Sequence, residues 1–176
     1  YNKALSSLEL QIGQEEKRAR ESFLQHLSRQ RQEALKSVQS QIRLQEQEQR
    51  AKFKAELEKA ETEVRNKFMA DLQKAEEEAR RRGVPSEAIQ KWRRQQIERF
   101  NRAVEKWRQE QKSKFESQLS AWKKEAQKKA EENLAEWEKQ RRAEFQKSLL
   151  EWRESAKKKA KSHLETWKSK QLRLVE

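Results

Sequence analysis

The chain has 176 residues, 41% of them charged and 32% hydrophobic, with a net charge of +13. Leu, Ile, Val and Phe together number 31, under a fifth of the chain and too few to fill a thick globular core. Two Gly, one Pro and no Cys exclude a turn-rich β fold, disulfides and thiolate metal sites, and no stretch approaches the ~18 apolar residues of a membrane span.

Such a composition usually belongs to disordered chains. An internal repeat argues otherwise. In the first half, residues 1–82, three columns recur every 15 residues. One is Leu8, Phe23, Val38, Phe53 and Phe68. A second is Ile12, Leu27, Ile42, Leu57 and Leu72. A third is Ala4, Ala19, Ala34, Gln49, Val64 and Ala79. Steps of four, four and seven residues between the columns predict one long amphipathic helix.

Residues 83–86 read as a turn. Gly83 suits the left-handed position just past a helix end, and Arg80, Arg81 and Arg82 complement the negative end of the helix dipole. Pro85 and Ser86 then read as the start of a second helix.

The second helix, 87–176, carries the same period with tryptophan. Trp92, Trp107, Trp122, Trp137, Trp152 and Trp167 are all 15 residues apart. Beside them run Val104, Leu119, Leu134, Leu149 and Leu164, then Phe100, Phe115, Ala130, Phe145, Ala160 and Val175. Gln96, Gln111, Ala126, Arg141, Ala156 and Gln171 form the fourth column.

Fifteen residues over four turns is about 3.75 per turn, above the 3.6 of a straight helix, which predicts a right-handed or nearly straight coiled coil. Facing residues in a hairpin closed at 83–86 have numbers with a constant sum. A sum of 168 sets Phe68 against Phe100, Phe53 against Phe115 and Phe23 against Phe145. The same sum sets Val38 against Ala130, Leu8 against Ala160 and Ile42 against Ala126, so that large residues meet small ones. The predicted fold is therefore all-α: two very long helices in an antiparallel hairpin, on the order of 120 Å in length. A swapped dimer makes the same pairs.

This register places Trp92, Trp107, Trp122 and Trp152 opposite Glu76, Glu61, Glu46 and Glu16, and Trp137 opposite Arg31. The expectation is an edge where glutamates accept from indole N–H groups, an arginine stacks on a ring and charged heads reach water. The six Trp are read as a packing device or as a ladder that docks another helix.

Charge is uneven. Residues 1–82 hold 18 Lys and Arg against 15 Asp and Glu, whereas residues 83–176 hold 25 against 15. The candidate basic patch comprises Arg80, Arg81, Arg82, Arg93, Arg94, Lys157, Lys158, Lys159, Lys161, Lys168, Lys170 and Arg173. Such a surface favours an acidic partner, either nucleic acid or an acidic protein surface.

Chemistry-bearing motifs are sparse. His26 and His163 do not meet in the register. There is no phosphate-binding glycine loop, and most carboxylates sit at helix spacing from Lys or Arg. No catalytic, cofactor-binding or metal site is expected. The periodicity resembles that of long stalk and scaffold coiled coils, although tropomyosin-type heptads have a different period. The reading is a non-enzymatic structural rod, a spacer, stalk or linker scaffold. Its partners are other protein helices or copies of itself in a larger assembly. The alternatives are a basic helical component of a ribonucleoprotein, or a protein lying along an acidic cytoskeletal or membrane-associated lattice. No segment reads as a secretory signal, the start at Tyr1 reads as a trimmed end, and an intracellular or organellar setting is preferred.

Overall fold

The computed structural model describes residues 2–175 and contains two helices packed against each other, α1 (Asn2–Arg81) and α2 (Ser86–Val175). Both are rich in Ala, Leu, Glu, Gln, Lys and Arg, the strongest helix formers. The single proline, Pro85, lies between them.

The reversal is a Schellman turn. Gly83 has φ +85°, a conformation that an L side chain resists. Its N–H donates to the Arg80 carbonyl (3.0 Å), and the Val84 N–H reaches back to the Ala79 carbonyl (3.1 Å). These two bonds satisfy carbonyls that the end of α1 otherwise leaves open. Val84 and Ala79 also line a common apolar groove, which supplies the hydrophobic contact that accompanies this cap. On the far side, the Ile89 N–H bonds to the Pro85 carbonyl (3.1 Å) and starts α2.

The helices divide into two compact units. One comprises residues 39–127, which include the turn. Its core is Leu57, Leu72, Ile89, Val104 and Leu119, all less than a tenth exposed. Two phenylalanine layers cross it. Phe53 and Phe115 stack with ring centroids 4.1 Å apart and planes 5° from parallel, and Phe68 and Phe100 stack at 4.1 Å and 7°.

The other unit pairs the chain up to Val38 with the chain from Lys128 onward. Ile12, Leu27, Leu149 and Leu164 are buried there, and Phe23 stacks on Phe145 at 4.0 Å and 2°.

All three ring pairs have numbers that sum to 168, so the antiparallel register inferred from the repeat is the register of the structure. Ile89 adds one more member to the buried column of α2, a repeat ahead of Val104. Each fully covered aliphatic side chain stabilises the packing by about 1.5–3 kcal/mol. Neither helix is long and apolar enough to cross a membrane.

Candidate interaction surface at the tryptophan column

The seam is filled by Phe and by Leu, Ile and Val, which leaves the tryptophans at its margin. In the unit around the turn, Trp92 is 37% exposed, and Trp107 and Trp122 are half-buried. In the other unit Trp137 is half-buried, Trp152 is 37% exposed and Trp167 is 50% exposed.

The carboxylates expected to accept from the indoles have other partners. Around the turn, Glu76 faces Arg93 at 3.5 Å, Glu61 faces Arg108 at 3.6 Å and Glu46 holds Lys123 at 2.6 Å. In the other unit Arg31 faces Glu138 at 3.3 Å. Arg153 donates through Nε to Glu16 Oε2 at 2.9 Å and makes a second, shorter contact from Nη2 to Oε1. Every pair sums to 169, and the α2 member is always the residue immediately after a Trp. In the Glu16 rung a cationic donor bonds the carboxylate about twice as strongly as a neutral N–H does, whereas the rungs at 3.3–3.6 Å are ion pairs, with Glu76 Oε1 and Arg108 Nε buried and without a hydrogen-bond partner.

A single residue step turns a helix by about 100°, so Trp and its successor stand on opposite margins of the stripe. Accordingly, Glu76 and Arg93 share one groove with Leu72 and Met69, whereas Trp92 lies in another with Ala75, Ala79, Val84, Ala88 and Ile89. The glutamate heads are not out in water as expected. Glu16 and Glu76 are 7% and 6% exposed.

Neighbours on α1 extend these rungs. Arg20 bridges back to Glu16 (3.0 Å), Arg50 to Glu46 (3.1 Å) and Arg65 to Glu61 (3.5 Å). Arg50 also crosses to Glu116 at 2.6 Å. The hydrogen bond from Arg153 holds the Glu16 carboxyl below its ordinary pKa. Lys123 does the same for Glu46, and Arg50 for Glu116. Their carboxylates in turn raise Arg153 and Arg50.

The basic residues are less uniform than their sequence runs suggest. Arg80, Arg81, Arg82 and Arg94 are exposed, but Arg82 bridges to Glu78 at 2.8 Å and Arg93 belongs to a rung. Arg80 shares its groove with Glu76 and Glu77. In the other unit Lys157, Lys158 and Lys161 line an open groove of about 340 Å³ together with Leu5, Leu8 and Ile12. Lys159, Lys168, Lys170 and Arg173 are exposed.

His26 and His163 are both exposed, and among the described residues no group of three His, Cys, Asp or Glu is placed to hold a metal ion. The paired columns were present in the sequence as a sign pattern. Glu16, Arg31, Glu46, Glu61 and Glu76 on α1 match Arg153, Glu138, Lys123, Arg108 and Arg93 on α2, inversion included. The chain matches no protein-family model, and no curated protein or solved structure is significantly similar to it.

Proposed function

We propose that the chain is a non-enzymatic structural element, a helical spacer, stalk or linker that joins a larger assembly through helix–helix contacts. The observation that carries this reading is the half-exposed tryptophan column beside a seam already filled by Phe and Leu. Large amphipathic rings at the edge of a packed surface are the residues that dominate helix-docking interfaces.

The test compares the native chain with a variant carrying Trp107→Gln, Trp122→Gln and Trp137→Gln. Both are expected to be helical, the variant with a lower melting temperature because its three rings are half-buried, and acrylamide is expected to quench the tryptophan emission of the native chain. Only the native chain should co-fractionate with a high-mass complex from its source cells. A variant that stays in the complex, or a native chain that fractionates alone, overturns the reading.

A ribonucleoprotein component is the second reading, supported by the exposed cluster of Arg80, Arg81, Arg82 and Arg94. It requires copurifying nucleic acid that is released by high salt.

A further inference from the structure

The face of the turn-containing unit that carries Trp92 and Trp107 is more apolar than the hairpin itself requires. Two grooves lie on it, one repeat apart. The first is lined by Ala75, Ala79, Val84, Ala88, Ile89 and Trp92. The second is lined by Val64, Phe100, Ala103, Val104 and Trp107, with Glu61 at its margin. Val64 is 51% exposed, Val84 40% and Trp92 37%. One repeat farther from the turn, three of the matching positions are polar. Gln49 follows Val64, Gln45 follows Ala60, and Gln118 follows Ala103. The two alanine columns, Ala60 with Ala75 and Ala88 with Ala103, are therefore apolar only in the two repeats nearest the turn, while the tryptophan column continues at Trp122.

The charges nearest the alanines of this face differ in sign between the helices. On α1, Glu56 and Asp71 stand four residues before Ala60 and Ala75. On α2, Arg99 and Lys114 stand seven residues after Trp92 and Trp107. All four are exposed. The charges nearest the alanines are thus acidic on α1 and basic on α2, while exposed Lys67 and Glu110 carry the opposite sign one row farther out. The register places Asp71 within about 3 Å in height of Arg99, and Glu56 equally close in height to Lys114.

We infer that this face is the contact surface for a second copy of the chain, related by a two-fold axis parallel to the helices. In that arrangement α1 of each copy lies over α2 of the other. Asp71 then meets Arg99 of the second copy, Glu56 meets its Lys114, and each Trp92 ring faces an alanine-lined groove. The same patch serves both copies, as a closed two-fold interface demands. Two repeats of a two-helix face measure about 45 Å by 20 Å, on the order of 900 Å² per copy, which matches the roughly 800 Å² per partner of a stable interface. A single acidic or basic helix as partner satisfies only one of the two rows. The inference rests on the assembly reading above and names one partner within it.

Sedimentation equilibrium of the full chain at moderate salt tests it. A concentration-dependent dimer is expected. Ala103→Glu, at an exposed position, should leave the helix melting unchanged and weaken association by at least about tenfold. Glu56→Lys with Asp71→Lys should weaken it similarly, and adding Arg99→Glu with Lys114→Glu should restore it. The chain has no cysteine of its own, so Asp71→Cys and Arg99→Cys variants can be mixed, and a disulfide between the two different chains is expected. A monomer up to millimolar concentration overturns the inference. So does a dimer indifferent to Ala103→Glu, or one that the charge swap does not rescue. A monomer that still enters a high-mass complex through its tryptophans refutes the second copy and keeps the assembly reading. A dimer that joins nothing larger does the reverse.

Discussion

Arg31 and Glu138 carry their charges in the opposite order from the other paired rungs: here the cation is on α1 and the carboxylate on α2. The inversion bears on register. If the helices slipped by one repeat in one direction, Glu16 would face Glu138 and Arg31 would face Lys123. A slip in the other direction would set Arg31 against Arg153 and Glu46 against Glu138. Either error creates two like-charge pairs, whereas rungs of uniform sign would tolerate both. Arg31→Glu should lower stability by about 0.5–1 kcal/mol, and Glu138→Arg in the same chain should restore it. The restored chain should also lose register fidelity. Cysteines at 53 and 115 join in the native register, and those at 53 and 100 should begin to join only in the swapped variant.

Acid should destabilise the hairpin through Glu16, Glu46 and Glu116. Each is held below the ordinary carboxyl pKa of 4.5, first by a hydrogen bond from Arg153, Lys123 or Arg50 respectively. A depressed folded-state pKa gives stability that is complete above the unfolded value and is lost as pH falls through the folded one. Melting temperature should therefore hold near neutrality and fall as the pH drops below about 5. Glu16→Gln should lower the neutral-pH plateau and make the acid slope shallower. An unchanged slope in both Glu16→Gln and Glu46→Gln would show that these rungs do not contribute to it.

The two glycines should respond to alanine with opposite signs. Gly13 lies within α1, and an added Cβ there meets nothing within 4 Å. Gly13→Ala should stabilise by about 0.5–1 kcal/mol, by helix propensity and by the loss of unfolded-state entropy. Gly83, at φ +85°, also has open space around it, but an alanine there takes on the strain of the left-handed region. Gly83→Ala should cost about 1–2 kcal/mol. Thermal melts of the two variants are enough to check this.

The stacked phenylalanines should couple. Phe53→Leu and Phe115→Leu should each destabilise by about 1–2 kcal/mol. A double-mutant cycle should return an interaction of about 0.5–1.5 kcal/mol. The cycle between Phe53 and Phe145, which belong to different ring pairs, should return nothing measurable.

The register was legible because the volumes of facing residues correlate. Phe53, Phe68 and Phe23 have phenylalanine partners at one constant sum, and the turn announces itself through Gly83 and Pro85. The rungs were harder to read. Glu76 and Trp92 share a level along the hairpin, which pointed to the indole, but a one-residue step around the helix places Arg93 on the glutamate's side. Burial of Glu16 and Glu76 was hidden for a related reason: a charged side chain is expected in water until its covering partners are known. The apolar face was obscured because Ala60, Ala75, Ala88 and Ala103 are ordinary helix residues singly. Ala75, Ala88 and Ala103 become a surface only once the two helices set them beside Trp92 and Trp107.

The turn at Gly83 also dictates an order of events during folding. Cross-helix partners near it are close in sequence: Arg65 and Asn101 are 36 residues apart, and Arg50 and Glu116 are 66 apart. Arg153 and Glu16 are 137 apart. Closing the longest of these loops directly costs about 1.2 kcal/mol more than closing the shortest, before any residue between them is ordered. Zipping outward from the turn avoids that cost, because each new layer extends from one already formed. Phase between the helices is thus chosen early, by the Schellman turn and the Phe68–Phe100 layer. The inverted rung of Arg31 and Glu138 lies far from the turn in sequence, and a chain zipped one repeat out of phase would set like charges together there.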